Sequence, residues 1–250
     1  MVDNAKNIAL IPARYGSKRL PGKNLKLLKG FPLISYTISA SLNSGLFEEI
    51  IVSTDSEHIA EAAMQFGATV PILRPNEIAL DTSTDIQWIN HALSEMVKTP
   101  LDEVNFVAIL RPTNPLRTSK TICKAMDFLE SHPWADSLRG MQPASQNPGK
   151  MWIVDSNQEA FPFLPQIKES TPTHDQPTQL LPKVWVQNAS LEIVKMKALL
   201  ETNSISGKRI LSFELPGREG FDINTQEDWD FLESILIKEK DLLVPPKRIL

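Results

Sequence analysis

The sequence predicts an α/β fold with a mostly parallel sheet covered by helices on both faces. Two observations carry that expectation. Short apolar or β-branched runs alternate with stretches of helical apolar spacing from Asn7 to Leu129. The unusual polar sequences also fall directly after those runs, at the carboxyl ends of strands, where an open parallel sheet gathers its ligand loops.

The elements follow in order. Asn7–Ile11 reads as a buried strand and Phe31–Leu42 as a helix. Glu49–Asp55 is a β-branched run ending in an acidic turn, and Ser56 caps a helix to Phe66 that Gly67 terminates. Thr69–Leu73 continues the beat as a strand, Thr84–Val97 as a helix, Asn105–Leu110 as a strand and Thr118–Leu129 as a helix. Met64, Met96 and Met126 fit core positions of these helices, as do Trp88 and, near the C-terminus, Trp229. The rhythm breaks from about Arg139 to Val186, a proline-rich excursion with Trp152 and Trp185 and a possible strand at Met151–Val154. Gly220–Asp228 then precedes an amphipathic helix, with Asn224 and Glu227 at capping-box spacing.

Bulk properties bound the function. A chain of 250 residues buries roughly three quarters of its unfolded surface, so it needs no covalent staples. Cys123 has no cysteine to pair with, and Met1–Asn7 is polar, without the apolar core of a signal peptide, so a cytoplasmic location is expected. No apolar run approaches the ~20 residues that span a bilayer. A net charge of -4 argues against nucleic acid and anionic membranes as partners. His58, His91, His132 and His174 are scattered without zinc spacing, and Cys123 reads as a small helix hydrophobe.

Against this acidic background Arg14, Lys18, Arg19 and Lys23 are concentrated in IPARYGSKRLPGKN, residues 11–24, immediately after the first strand. The segment approaches a P-loop but fails it: five residues separate Gly16 from Gly22, one more than the pattern allows, and Asn24 replaces the Ser or Thr that contacts Mg²⁺. A solvated basic loop is one reading. A polyphosphate site is the better one, because Gly16, Pro21 and Gly22 shape the turn and an anion would satisfy several cations together. A nicotinamide site is disfavoured by the lack of G-x-G-x-x-G after the first strand.

Ala13–Asn24, Ile51–Asp55, Leu110–Arg117 and Asp222–Thr225 together resemble the acylneuraminate cytidylyltransferases, also called CMP-sialic acid synthetases, with the order and spacing of the motifs kept from Asn7 to about Glu233. The resemblance implies a three-layer, Rossmann-like nucleotidyltransferase sandwich, one domain over 1–250 with a dimerisation excursion at about 139–186. It implies an enzyme that joins CTP to the anomeric hydroxyl of a 2-keto-3-deoxy sugar acid, releasing pyrophosphate, with Mg²⁺ as cofactor. By the same resemblance Arg14, Ser17 and Lys23 hold the phosphates, Asn24 and Arg74 lie in the nucleotide pocket, and Asp222 holds the metal; Lys18 joins the nucleotide-binding candidates as a cation of the basic loop. Arg14, Lys23 and Asp222 are then the catalytic set.

The chain departs from that family at several positions. Asn224 stands where a second metal aspartate is usual, leaving metal ligation or helix capping open as its role. Arg111 replaces the glutamine of a QPTSPLR motif, and Thr178 replaces the arginine that meets the sugar carboxylate, while Lys150 matches a lysine facing the acid. Arg111, Lys150 and Thr178 are therefore the candidate acceptor contacts. Asn188–Ile193 replaces NGAIYI, which widens the expected acceptor to nonulosonic acids, legionaminic as well as neuraminic. An octulosonate-type cytidylyltransferase and a catalytically silent nucleotide-binding regulator are the alternatives.

Overall fold

The computed structural model describes residues 6–165 and 171–249, so the polar N-terminus before residue 6 and residues 166–170 of the proline-rich stretch lie outside the described residues. The chain divides into two compact units, one of Met1–Gly140 with Asn188–Leu250 and one of Met141–Gln187. Its elements are β1 (Lys6–Pro12), β2 (Leu27–Leu28), β3 (Phe31–Pro32), α1 (Leu33–Ser44), β4 (Glu49–Ser53), α2 (Glu57–Gln65), α3 (Asp85–Glu95), β5 (Val104–Ile109) and α4 (Ser119–Glu130), then β6 (Ser137–Pro143), β7 (Trp152–Val154), β8 (Ala160–Pro162), β9 (Trp185–Lys195), α5 (Met196–Thr202), β10 (Ile210–Glu214) and α6 (Gln226–Lys238).

Among the described residues six strands form the main sheet in the order β10-β6-β9-β5-β1-β4. β1 lies between β4 and β5 and runs parallel to both, with Leu10 opposite Ile51 on one side and Ile109 on the other. β9 runs antiparallel to β5. The period-two alternation of strand side chains then builds two cores. Ala9, Ile11, Val52 and Ala108 pack against Ile34 and Ile38 of α1, Ile59 and Ala63 of α2, and Ile122 and Met126 of α4. Ile8, Leu10, Ile51, Val107 and Ile109 point the other way, against Trp88, Ile89 and Leu93 of α3 and Leu199 of α5. Helix, sheet and helix layers result, and each fully buried Leu or Ile adds about 1.5–3 kcal/mol. A third cluster packs Trp229, Leu232 and Leu236 of α6 against Leu20, Leu28 and Leu33.

Local chemistry explains most boundaries. The Ser56 hydroxyl accepts from the Ile59 N–H, and Thr118 does the same for Thr121. After α2, Gly67 takes a left-handed φ of +93°, a conformation that favours glycine.

Several expectations need correction. Thr69–Leu73 is not a strand: Thr69 alone bridges to Ile51, because Pro71 lacks a donor and restricts the residue before it. Helix α1 starts at Leu33, since Phe31–Pro32 is spent in a hairpin with Leu27–Leu28. Met64 lies on the outer side of α2 and is 40% exposed. The capping box of α6 sits one residue later than the spacing suggested, with Thr225 as N-cap and Asp228 at N3. β6, β9 and β10 were not anticipated as strands of the sheet.

The second unit is described by itself. β7 and β8 pair antiparallel, Trp152 opposite Pro162 and Val154 opposite Ala160. The Lys150 ammonium donates to the carbonyls of His174 at 2.7 Å and Gln176 at 2.6 Å, tying this unit's loops together. Met151, Trp152, Ile153, Val154, Phe161 and Phe163 are exposed on it. Thr178 begins a short 3₁₀ turn there.

Candidate active site

A cleft of about 580 Å³ opens in the first unit beyond the carboxyl ends of β1, β4 and β5. Its wall includes Arg14, Ser17, Lys18, Lys23, Asn24, Arg74, Arg111, Asp222 and Asn224, nine of the residues that the sequence singles out. Lys150 and Thr178 belong to the second unit.

The basic loop is shaped by its own backbone and by the neighbouring strand end. The Tyr15 N–H donates to Asp55 Oδ1 at 2.7 Å, which gives the acidic turn after β4 the task of holding the loop. Asn24 is buried and its amide donates to the Arg14 carbonyl at 3.1 Å, closing the loop on itself. Gly22 has a φ of +67°, a conformation in which a side chain is strained. No helix follows the loop directly, as one would in a P-loop; the chain turns into the β2–β3 hairpin instead.

The cations have distinct partners. Arg14 and Lys18 both pair with Asp81, each at 2.5 Å, so one exposed carboxylate holds two phosphate candidates. Burial pushes the Lys23 ammonium below the ordinary lysine value, with Asp222 opposing the shift. Its nearest bonded group is the Ile223 carbonyl at 3.4 Å, a long contact that leaves its donors for the cleft. Arg74 is buried, bonded to Ser53 Oγ at 3.0 Å and the Ser53 carbonyl at 2.7 Å, and its guanidinium lies 5.2 Å from the centre of the Trp88 ring.

At the far side of the cleft lies a balanced charge lattice. Arg111 donates to Asp85 Oδ2 at 2.6 Å and to Glu192 Oε1 at 3.3 Å, and Arg139 donates to Glu192 Oε2 at 2.5 Å. Burial opposes the charge on Asp85, but the Arg111 contact prevails and holds its carboxyl below the usual range. Arg111 therefore lines the cleft with its charge already matched by internal carboxylates. Asp222 is different. The 221–223 segment is fastened by Asn114 Nδ2 to the Phe221 carbonyl at 2.9 Å and by the Ile223 N–H to the Thr113 carbonyl at 2.9 Å. Asp222 Oδ1 is buried there without a hydrogen-bond partner among the described residues. A buried carboxylate oxygen with no donor is the chemistry a hard cation satisfies. Among the described residues no three His, Cys, Asp or Glu side chains gather as a metal cage.

Sequence reasoning passed over Asp81, Asp85, Glu192 and Arg139. Glu192 carried a readable signal, since a carboxylate between Leu191 and Ile193 in an apolar strand needs a buried cation. Asp81 carried none, because its partners lie far along the chain.

A three-layer sandwich with a cationic cleft at the strand ends suits a ligand that carries phosphate. The fold is similar to the solved structure of CMP:2-keto-3-deoxy-manno-octonic acid synthetase complexed with CTP, with a TM-score of 0.66 over 94% of this chain and 99% of that one, at 18% identity. Residues 8–144 match the family described as Cytidylyltransferase. The chain belongs to that cytidylyltransferase family. It is 35% identical over 245 residues to CMP-N,N'-diacetyllegionaminic acid synthase of Legionella pneumophila, covering 95% of this chain and 99% of the relative. It is also 29% identical to the pseudaminic acid cytidylyltransferase of Campylobacter jejuni, covering 90% of this chain and 94% of the relative.

Proposed function

We propose that this chain transfers a cytidylyl group from CTP to the anomeric hydroxyl of a nonulosonic acid, releasing pyrophosphate. The observation that carries this reading is the convergence, in one cleft at the strand ends, of Arg14, Lys18 and Lys23 with an Asp222 oxygen that has no partner among the described residues. Attack of the anomeric oxygen on the α-phosphorus forms the sugar O–P bond, breaks the bond from the α-phosphorus to the oxygen bridging the β-phosphate, and releases the hydroxyl proton to solvent. Arg14, Lys18 and Lys23 neutralise the growing charge on the departing pyrophosphate, the principal service a protein gives such a transfer. Ser17 and Asn24 shape the nucleotide side of the cleft, with Arg74 and Trp88 as its wall. Asp222 would hold Mg²⁺, which when bound supplies further charge neutralisation on the phosphates.

The legionaminic-type acids are the favoured acceptors, supported by the Legionella relative's name and by its coverage along nearly the whole chain. Arg111, Lys150 and Thr178 are the candidates for the acceptor's carboxylate. Pyrophosphate release from CTP, measured across neuraminic, legionaminic, pseudaminic and octulosonic acids, is the test. Release is expected with nonulosonic acids and to be greatest with a legionaminic type. CTP binding without release on any acid would mark a silent nucleotide-binding regulator instead.

Displacement of Asp81 should accompany binding, because the triphosphate and this carboxylate compete for Arg14 and Lys18. Asp81→Asn is expected to tighten CTP about twofold to fivefold, as fits an exposed pair. Calorimetric titration with CTP checks this; a weaker affinity would give Asp81 a role in holding the nucleotide.

We further propose a homodimer formed through the second unit. Support comes from its exposed Trp152, Ile153, Val154 and Phe161, an apolar face that a lone chain would leave in water. Light scattering at micromolar concentration is expected to give twice the chain mass of 28.0 kDa. Ile153→Asp is expected to halve it. A reducing cytoplasm is the proposed compartment, supported by the unpaired Cys123.

A further inference from the structure

Asn224 stands between a side chain that can only donate and one that can only accept. A terminal guanidinium nitrogen of Arg19 donates to Asn224 Oδ1 at 2.7 Å, and Asn224 Nδ2 donates to Asp222 Oδ2 at 2.6 Å. A guanidinium has no acceptor and an ionised carboxylate has no donor. Turning the amide over would therefore set donor against donor and acceptor against acceptor. The backbone is fixed as well: the N–H groups of Asn224 and Thr225 both donate to Asp228 Oδ2 at 2.8 Å, within the capping box of α6. One oxygen of Asp222 is thus tied down, and the other, Oδ1, is buried with no partner among the described residues, on a residue that lines the cleft.

We infer that Asn224 is a positioning residue and not a ligand: it relays Arg19 to Asp222 and turns Asp222 Oδ1 toward the divalent cation. The inference rests on the reading of Asp222 as the cation's carboxylate. It also explains why an amide serves at this position. An aspartate at 224 would keep Arg19 but place a second negative charge against Asp222, whereas the amide satisfies both neighbours. Were Asn224 Oδ1 itself the ligand, it would have to bind the cation with its second lone pair while still accepting from Arg19, holding a guanidinium beside the cation.

The test is Mn²⁺ affinity of the CTP-saturated enzyme, read from the electron paramagnetic resonance signal of free Mn²⁺ without sugar acid, so that turnover plays no part. Arg19→Met and Asn224→Ala are each expected to weaken Mn²⁺ about tenfold, the usual effect of losing an outer partner of a metal ligand. The double variant is expected to be no weaker than either single one, because both break the same relay. Arg19 is exposed, so Arg19→Met carries the test even if Asn224→Ala fails to fold. If Arg19→Met instead tightens Mn²⁺, through removal of a nearby positive charge, or if the two effects add, Asn224 is a ligand and the inference falls while Asp222 stands. Asp222→Ala is expected to reduce Mn²⁺ affinity to that of CTP alone. If it leaves the affinity unchanged, the cation reading of Asp222 fails and takes the inference with it.

Discussion

Lys23→Ala is expected to lower kcat for CMP transfer by about a hundredfold to a thousandfold while the melting temperature stays within about 2 °C of wild type. The ammonium makes one long contact to the Ile223 carbonyl, so the fold loses little when it goes. The phosphates lose a charge-assisted contact worth about 1.5–3 kcal/mol in binding, and more as negative charge builds on the leaving group. Arg14→Ala should act in the same direction, since its folded-state partner Asp81 is an exposed carboxylate. The depressed pKa of Lys23 adds a pH signature. The free enzyme gives up this proton below the ordinary lysine range and the phosphate complex holds it, so CTP binding takes up a proton there. CTP affinity should therefore fall as pH rises through the depressed value, and the fall should flatten in Lys23→Arg. Steady-state kinetics and a thermal melt decide the matter; wild-type turnover in Lys23→Ala would reduce the loop to a merely basic surface.

Glu192→Gln is expected to be the most destabilising single change in the charge lattice that Arg111 joins. Glu192 is 2% exposed and accepts from Arg111 on one oxygen and Arg139 on the other. The amide keeps the volume but cannot balance two guanidinium groups, and one of its terminal groups would face Arg donors with donors of its own. Breaking a buried pair in this way costs about 3–5 kcal/mol, because it leaves uncompensated buried charge. For a chain of this size that is a fall of roughly 10 °C in melting temperature. Calorimetry of the purified variant reads it, and a fall of under about 2 °C would show that Asp85 alone can balance the lattice.

The site was more legible than the sheet. The basic segment after β1, the acidic turn at Asp55 and the Asp222 segment announce themselves because local composition departs from its surroundings, and local composition is what a sequence displays. β9 escaped notice because Gln187, Asn188 and Ser190 interrupt its apolar period, and only the pairing of Ala108 with Ile193 reveals it as a strand. Thr69–Leu73 erred the other way: its apolar content suits a strand, but Pro71 removes the donor needed to extend one. The α6 cap was displaced by one residue, since spacing cannot tell which of Asn224 and Thr225 adopts the extended φ of an N-cap; Thr225 does, at φ −125°. The pairing of Arg14 and Lys18 with Asp81 and of Arg111 with Glu192 depends on tertiary approach between distant segments, which no spacing rule encodes.

The place of β1 between β4 and β5 sets a constraint on how the protein is made. β1 leaves the ribosome first, and its partner Ile51 follows early, but Ile109, which closes its other edge, appears only after about a hundred further residues. At ordinary elongation speeds of about 5–20 residues per second, that is about 5–20 seconds. Until Ile109 emerges, Ile8–Ile11 is an apolar strand with its edge toward β5 open, a configuration prone to pair with another nascent chain. Slow codons upstream of β5 should therefore lower the yield of folded enzyme, and slow codons after α4, once that edge is filled, should cost much less.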